Sequence, residues 1–152
     1  MDHPSFPGPR RQPMGIQRAQ TVLSSRPASS RTSKADAQAA YSRTATAGIV
    51  FVSAEATTWA SADAAKTAIA ERMAYTVQTQ QWGIEIPLGQ TIGDESYGIQ
   101  YGAKTSGDQT AFAVVFRAAN VTNDVFIRGV TRTIEVSMAI ELAKKQLARL
   151  RV

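Results

Sequence analysis

The chain has no cysteine and one histidine, His3, near its start. The missing cysteine excludes disulfides, thiolate metal ligands and cysteine nucleophiles. With its only imidazole in a proline-rich leader, the chain has no histidine to place in a Ser-His-Asp triad or a histidine metal site on a folded scaffold. No stretch approaches the roughly 20 apolar residues that span a bilayer. Arg10-Arg11 is not followed by the apolar run of roughly 7–15 residues that a secretory signal needs. A phosphate loop is missing too: Gly98 and Gly102 fall in a strand-like run and lack the following Lys-Ser/Thr.

Charge is present but unevenly placed. The net charge of the 152 residues is +5. Residues 1–34 hold six bases (Arg10, Arg11, Arg18, Arg26, Arg31, Lys34) against Asp2 alone, and residues 35–152 hold equal numbers of acids and bases. The basic excess therefore belongs to residues 1–34, and the remainder has none to steer it toward phosphates or anionic lipid. Pro4, Pro7, Pro9 and Pro13 remove backbone donors, and serines with few large apolar neighbours leave little to bury. The sequence thus predicts a disordered basic arm over 1–34 and a single α+β domain over 35–152. The arm reads as a passive tail, an Arg- and Ser-rich organellar leader, or a weak, non-specific nucleic-acid or membrane contact.

Periodicity supplies the elements. Ser33 and Asp36 resemble a capping box opening a short helix over Ala35 to Tyr41. Ile49-Val50-Phe51-Val52 predicts a strand over roughly 46–58. Ser61 reads as an N-cap, and Ala62, Ala65, Ile69, Met73 and Val77 form one face of a helix over about 62–79. Trp82, Ile84, Ile86 and Leu88 alternate as a strand that Pro87 confines to an edge. Tyr97, Ile99 and Tyr101 alternate next, before a loop at Thr105–Asp108. Phe112, Val114 and Phe116 share a strand face. Arg117-Ala118-Ala119-Asn120 turns the chain, with Asn120 suited to positive φ. Asn123, Val125 and Ile127 return, and Gly129 ends the strand. A helix near 133–150 carries Val136, Ile140, Ala143, Leu147 and Leu150 inward, with Glu141 and Lys145 paired outside. The order predicts an antiparallel sheet of four to five strands with two amphipathic helices packed on one face.

Few residues invite chemistry. Asp94 and Glu95 are adjacent carboxylates that either bind a hard cation or form a solvated turn after Gly93. Arg117, at a hairpin tip, either closes the hairpin or grips an anion. Trp59, Trp82, Tyr97 and Tyr101 supply the large aromatic surface of the middle of the chain, as core or as the lining of an apolar cleft. Asn120-Val121-Thr122 fits a glycosylation sequon, though a turn alone explains the asparagine. The candidate ligand-binding set is Trp82, Tyr97, Tyr101 and Arg117, with no catalytic residue, metal or cofactor expected.

Trp59-Ala60-Ser61-Ala62-Asp63-Ala64-Ala65, Ile92-Gly93-Asp94-Glu95-Ser96, Val114-Val115-Phe116-Arg117-Ala118-Ala119-Asn120-Val121 and the closing helix with Leu142-Ala143, Gln146 and Arg149-Leu150 resemble a family pattern. It is found in small bacterial extracytoplasmic proteins, some of them lipoproteins. Others are similar to the extracellular sensor domains of actinobacterial serine/threonine kinases. The resemblance covers roughly residues 45–150. It implies a non-enzymatic binding or sensory domain at the cell surface; the lack of a signal peptide points instead to the cytoplasm. The expected ligand is a small apolar or amphiphilic molecule or a protein partner. The alternatives are self-association through a sheet edge or the closing helix, and weak nucleic-acid binding through the arm.

Overall fold

The computed structural model describes residues 33–78, 83–102 and 109–150. The expected arm, Trp82 and the loop at Thr105–Asp108 fall outside them, except that Ser33 and Lys34 begin the first strand rather than ending an arm.

The strands are β1 (Ser33–Ser42), β2 (Ile49–Trp59), β3 (Ile84–Ile86), β4 (Glu95–Tyr101), β5 (Gln109–Ala118) and β6 (Val121–Val130). The helices are α1 (Ala62–Gln78), between β2 and β3, and α2 (Val136–Leu150), after β6. The strands form one six-stranded sheet in the order β1-β2-β6-β5-β4-β3, and every neighbouring pair is antiparallel. The α+β class and the antiparallel sheet are as predicted; the number of strands is six rather than four to five.

The sixth strand is β1, where a helix was predicted. Alanine favours helix by well under 1 kcal/mol per residue. Pairing from Ser33–Trp59 to Ser42–Phe51 along β2 outweighs that preference. The short β3 lies at the opposite edge, next to Pro87, as the missing donor requires.

The helices do not share a face. Ile69 and Met73 of α1 pack on Ile99, Ala113 and Val115. Ala139, Ile140 and Ala143 of α2 pack on Phe112, Val114, Phe116, Val125 and Ile127. Successive residues of a strand point to opposite faces, so α1 and α2 lie on opposite sides of β5. The physical cause is in β5 itself. Residues Ala111 to Phe116 are all buried, and a continuous apolar run needs cover on both faces.

Most helix detail follows expectation. The Ser61 hydroxyl accepts the Ala64 amide at 3.1 Å, the N-cap predicted for α1. Ala65, Ile69 and Met73 are buried on its inner face, whereas Ala62 is exposed. On α2 the exposed ion pair joins Lys144 to Glu141 at 3.0 Å, one residue short of the predicted Lys145.

Candidate functional site

Residues singled out from the sequence divide between the two ends of the sheet. The upper end joins the β5–β6 turn, the start of β4 and the end of β2. Ala119 takes the positive φ of 52° that was expected of Asn120. The Asn120 side chain is used elsewhere: its Nδ2 donates to the Trp59 carbonyl at 2.9 Å, while the Asn120 backbone carbonyl accepts the Trp59 amide at 2.8 Å. The Trp59 indole Nε1 donates to the Thr122 hydroxyl at 2.9 Å. Both polar residues of the sequon therefore hold β2 against the turn.

Arg117 closes this corner from the other side. One Nη donates to Asp94 Oδ2 and to the Ala119 carbonyl, both at 3.0 Å. The same Asp94 oxygen accepts the Ala119 amide at 2.8 Å, and the Asp94 amide donates to the Arg117 carbonyl at 2.8 Å. Glu95 Oε2 stands 3.6 Å from Arg117 Nε, and its other oxygen accepts the Tyr97 hydroxyl at 2.7 Å. That bond, with burial and the Glu95 charge, raises the Tyr97 pKa above its ordinary value. Gly93 allows the approach. Its φ is +70°, and a Cβ there would lie 2.2 Å from the Arg117 carbonyl oxygen. The Asp94 and Glu95 carboxylates thus face a guanidinium that is 14% exposed, a clip in which one Nη is hydrogen-bonded and Nε has only the Glu95 charge beside it.

Tyr101, six residues on from Glu95, lies at the other end of β4. Its ring packs on Phe126 with centroids 5.7 Å apart, and Phe126 meets Phe51 edge-on at 5.9 Å. The three rings are half-buried on the α1 face. Burial raises the Tyr101 pKa, with Asp124 adding to the rise and Arg72 opposing it. Asp124 sits two residues from Phe126 on the same face, ion-paired to Arg72. Its own pKa is also raised: desolvation outweighs the Arg72 charge, which is 53% exposed and partly screened. The sequence-predicted set is therefore split, with Tyr97 and Arg117 at the upper end and Tyr101 at the lower.

The lower end holds what sequence reasoning missed. A cavity of about 600 Å³ opens there, lined by Ser42, Arg43, Thr44, Val50, Gln109 and Arg128 among others. The register places Ser42, Phe51, Gln109 and Arg128 on the α1 face. β2 slips register between Ile49 and Phe51, so Val50 is the extra residue of a bulge. Arg43 Nε donates to the Ile49 carbonyl at 2.7 Å. The Arg128 guanidinium stacks 5.5 Å from the Phe51 ring centroid. The one signal in the sequence was the alternation Asp124, Phe126, Arg128 along β6, which puts a base beside an aromatic on one face.

Among the described residues no helix is long and apolar enough to cross a membrane, and no group of three His, Asp or Glu side chains is placed to hold a metal ion. No family model, curated protein or solved structure matches the chain.

Proposed function

We propose that the domain is a non-enzymatic binding module, which takes a small amphiphilic ligand at the lower end of the α1 face. The observation that carries this reading is the cavity of about 600 Å³, whose lining residue Arg128 lies over Phe51, the first of three half-buried rings in contact, Phe51, Phe126 and Tyr101. Its volume lies in the usual range of small-molecule sites, roughly 300–1,000 Å³. Polar groups line the cavity with Ala45 and Val50, and Arg128 connects it to the Phe51 ring, an arrangement that suits a molecule with one polar and one apolar end. Native mass spectrometry and thermal-shift screening against short-chain amphiphiles test the reading. One-to-one complexes with a raised Tm support it; a protein that retains none of them counts against it.

A second reading rests on β1. This strand of ten residues contains no proline, and among the described residues β2 alone pairs with it. A long, largely exposed edge of this kind is a template for antiparallel pairing with a second copy of the chain. Sedimentation across a concentration series decides it: a dimer that disappears on Gln38→Pro supports edge pairing, and a monomer at every concentration removes it.

A further inference from the structure

The lower cavity carries more than a place to bind, because its two arginines define the charge of the ligand. Resting on the binding-module reading above, we infer that the cavity is an anion clamp. Arg43 and Arg128 grip a carboxylate or phosphate-ester headgroup, and the compact apolar body of the ligand lies on Phe51, Phe126 and Tyr101.

Both guanidinium groups line one cavity. Neither is paired with a carboxylate among the described residues. Two acids share this face of β2 and β6: Glu55 and Asp124 stand opposite each other, and Arg72 already engages Asp124. Asp124 lies four residues from Arg128 along β6, about 13 Å at the rise of a strand. That separation exceeds a Debye length at physiological salt. The two like charges therefore share one cavity with no neutralising carboxylate among the described residues, and an anion bound there would offset both.

Their existing contacts pre-arrange them for that task. Arg43 spends Nε on the Ile49 carbonyl at 2.7 Å, which fixes the plane of the group and leaves its Nη donors for a ligand. Gly48, at φ +75°, brings the loop close enough that a Cβ would stand 3.3 Å from Arg43 Nη2. The cation–π contact with Phe51 holds the Arg128 guanidinium over the ring at 5.5 Å, and its N–H groups, which meet no carboxylate among the described residues, suit bidentate recognition of a carboxylate or phosphate. Ser42, Thr44 and Gln109 add neutral donors to the same lining.

The test is isothermal titration of the full chain at low salt with octyl phosphate, octanoate, octanol and inorganic phosphate. The proposal expects octyl phosphate and octanoate to bind, with octanol weaker by about tenfold or more. Arg43→Gln and Arg128→Gln are each expected to weaken octyl phosphate by about tenfold, with Tm unchanged as the check on folding. Arg128→Lys, which keeps the charge and loses the fork, is expected to fall between wild type and Arg128→Gln. Octanol binding as tightly as octyl phosphate, with no response to either Gln variant, overturns the clamp while leaving the binding module intact. Inorganic phosphate binding as tightly as octyl phosphate supports the clamp and removes the amphiphilic body from the ligand. Failure of all four probes overturns both readings.

Discussion

The two ends of the sheet are built on opposite plans. At the upper end Asp94, Arg117, Asn120 and Thr122 each hold a neighbour through their side chains. Asp94 holds Arg117 and the Ala119 amide, Asn120 holds Trp59, and Thr122 accepts the indole. At the lower end two arginines line an open cavity, held among the described residues by a backbone carbonyl and an aromatic ring. Three sequence segments, around Trp59, Gly93 and Arg117, converge on the upper end. They join β2, β4 and the β5–β6 turn into one corner. The difference teaches that the densest polar contacts of this domain fasten one end of the sheet, while the open cavity lies at the other.

The comparison is broken most severely by one methyl group. Gly93→Ala adds a Cβ that meets a backbone carbonyl, which has no room to yield. It should cost about 3 kcal/mol or more, combining left-handed strain with the clash. Gly48→Ala at the lower end carries the same positive φ but meets the far end of a flexible arginine. About 1 kcal/mol is expected there. Urea unfolding of both variants measures the contrast, and equal losses would contradict a rigid upper end.

Asp94→Ala comes next. It removes two hydrogen bonds at once and leaves the Arg117 guanidinium with the Ala119 carbonyl and Glu95. About 2 kcal/mol should be lost, read as a Tm lower by about 8 °C. Asn123→Val goes the other way. Asn123 is 2% exposed, and both its side-chain polar atoms lack a hydrogen-bond partner among the described residues. Replacing it with an apolar side chain of similar volume should raise stability by about 1 kcal/mol, measured in the same urea series.

The smallest effect sharpens the boundary between the two ends. Burial raises the folded-state pKa of Asp124 above its ordinary 3.8. The folded protein then holds that proton more tightly than the unfolded chain does. The resulting stabilisation is complete below pH 3.8 and is lost as pH rises through the higher folded value. Asp124→Asn removes this loss, so the variant should gain on wild type across that window. Stability of the pair measured from acid to neutral pH checks the sign.

Much of the fold was legible because local pattern and tertiary packing agreed. The spacing of Ala65, Ile69 and Met73 named the inner face of α1, and the alternation of Tyr97, Ile99 and Tyr101 named one face of β4. The run Ala111–Phe116 also announced burial on both faces. Reading only Phe112, Val114 and Phe116 from it placed both helices on one side. β1 was illegible, because an alanine-rich segment carries a weak helical preference that only its pairing with β2 reverses. The proposed site was the least legible part. Arg43 and Arg128 are solitary bases, distant in sequence, and nothing local to either marks it. The β1–β2–β6 pairing brings them together. Arg117 looked the better ligand because it ends a hairpin, yet Asp94 from a separate segment folds back to hold it.

Backbone amide shifts during titration with octyl phosphate test the central claim most directly, since they report both ends in one experiment. The account expects perturbations to cluster at Ser42–Thr44, Phe51, Gln109 and Phe126–Arg128, with Gly93–Ser96 and Arg117–Asn120 unmoved. Saturable shifts centred on Asp94 and Arg117, with the Arg43 and Arg128 amides still, would contradict it.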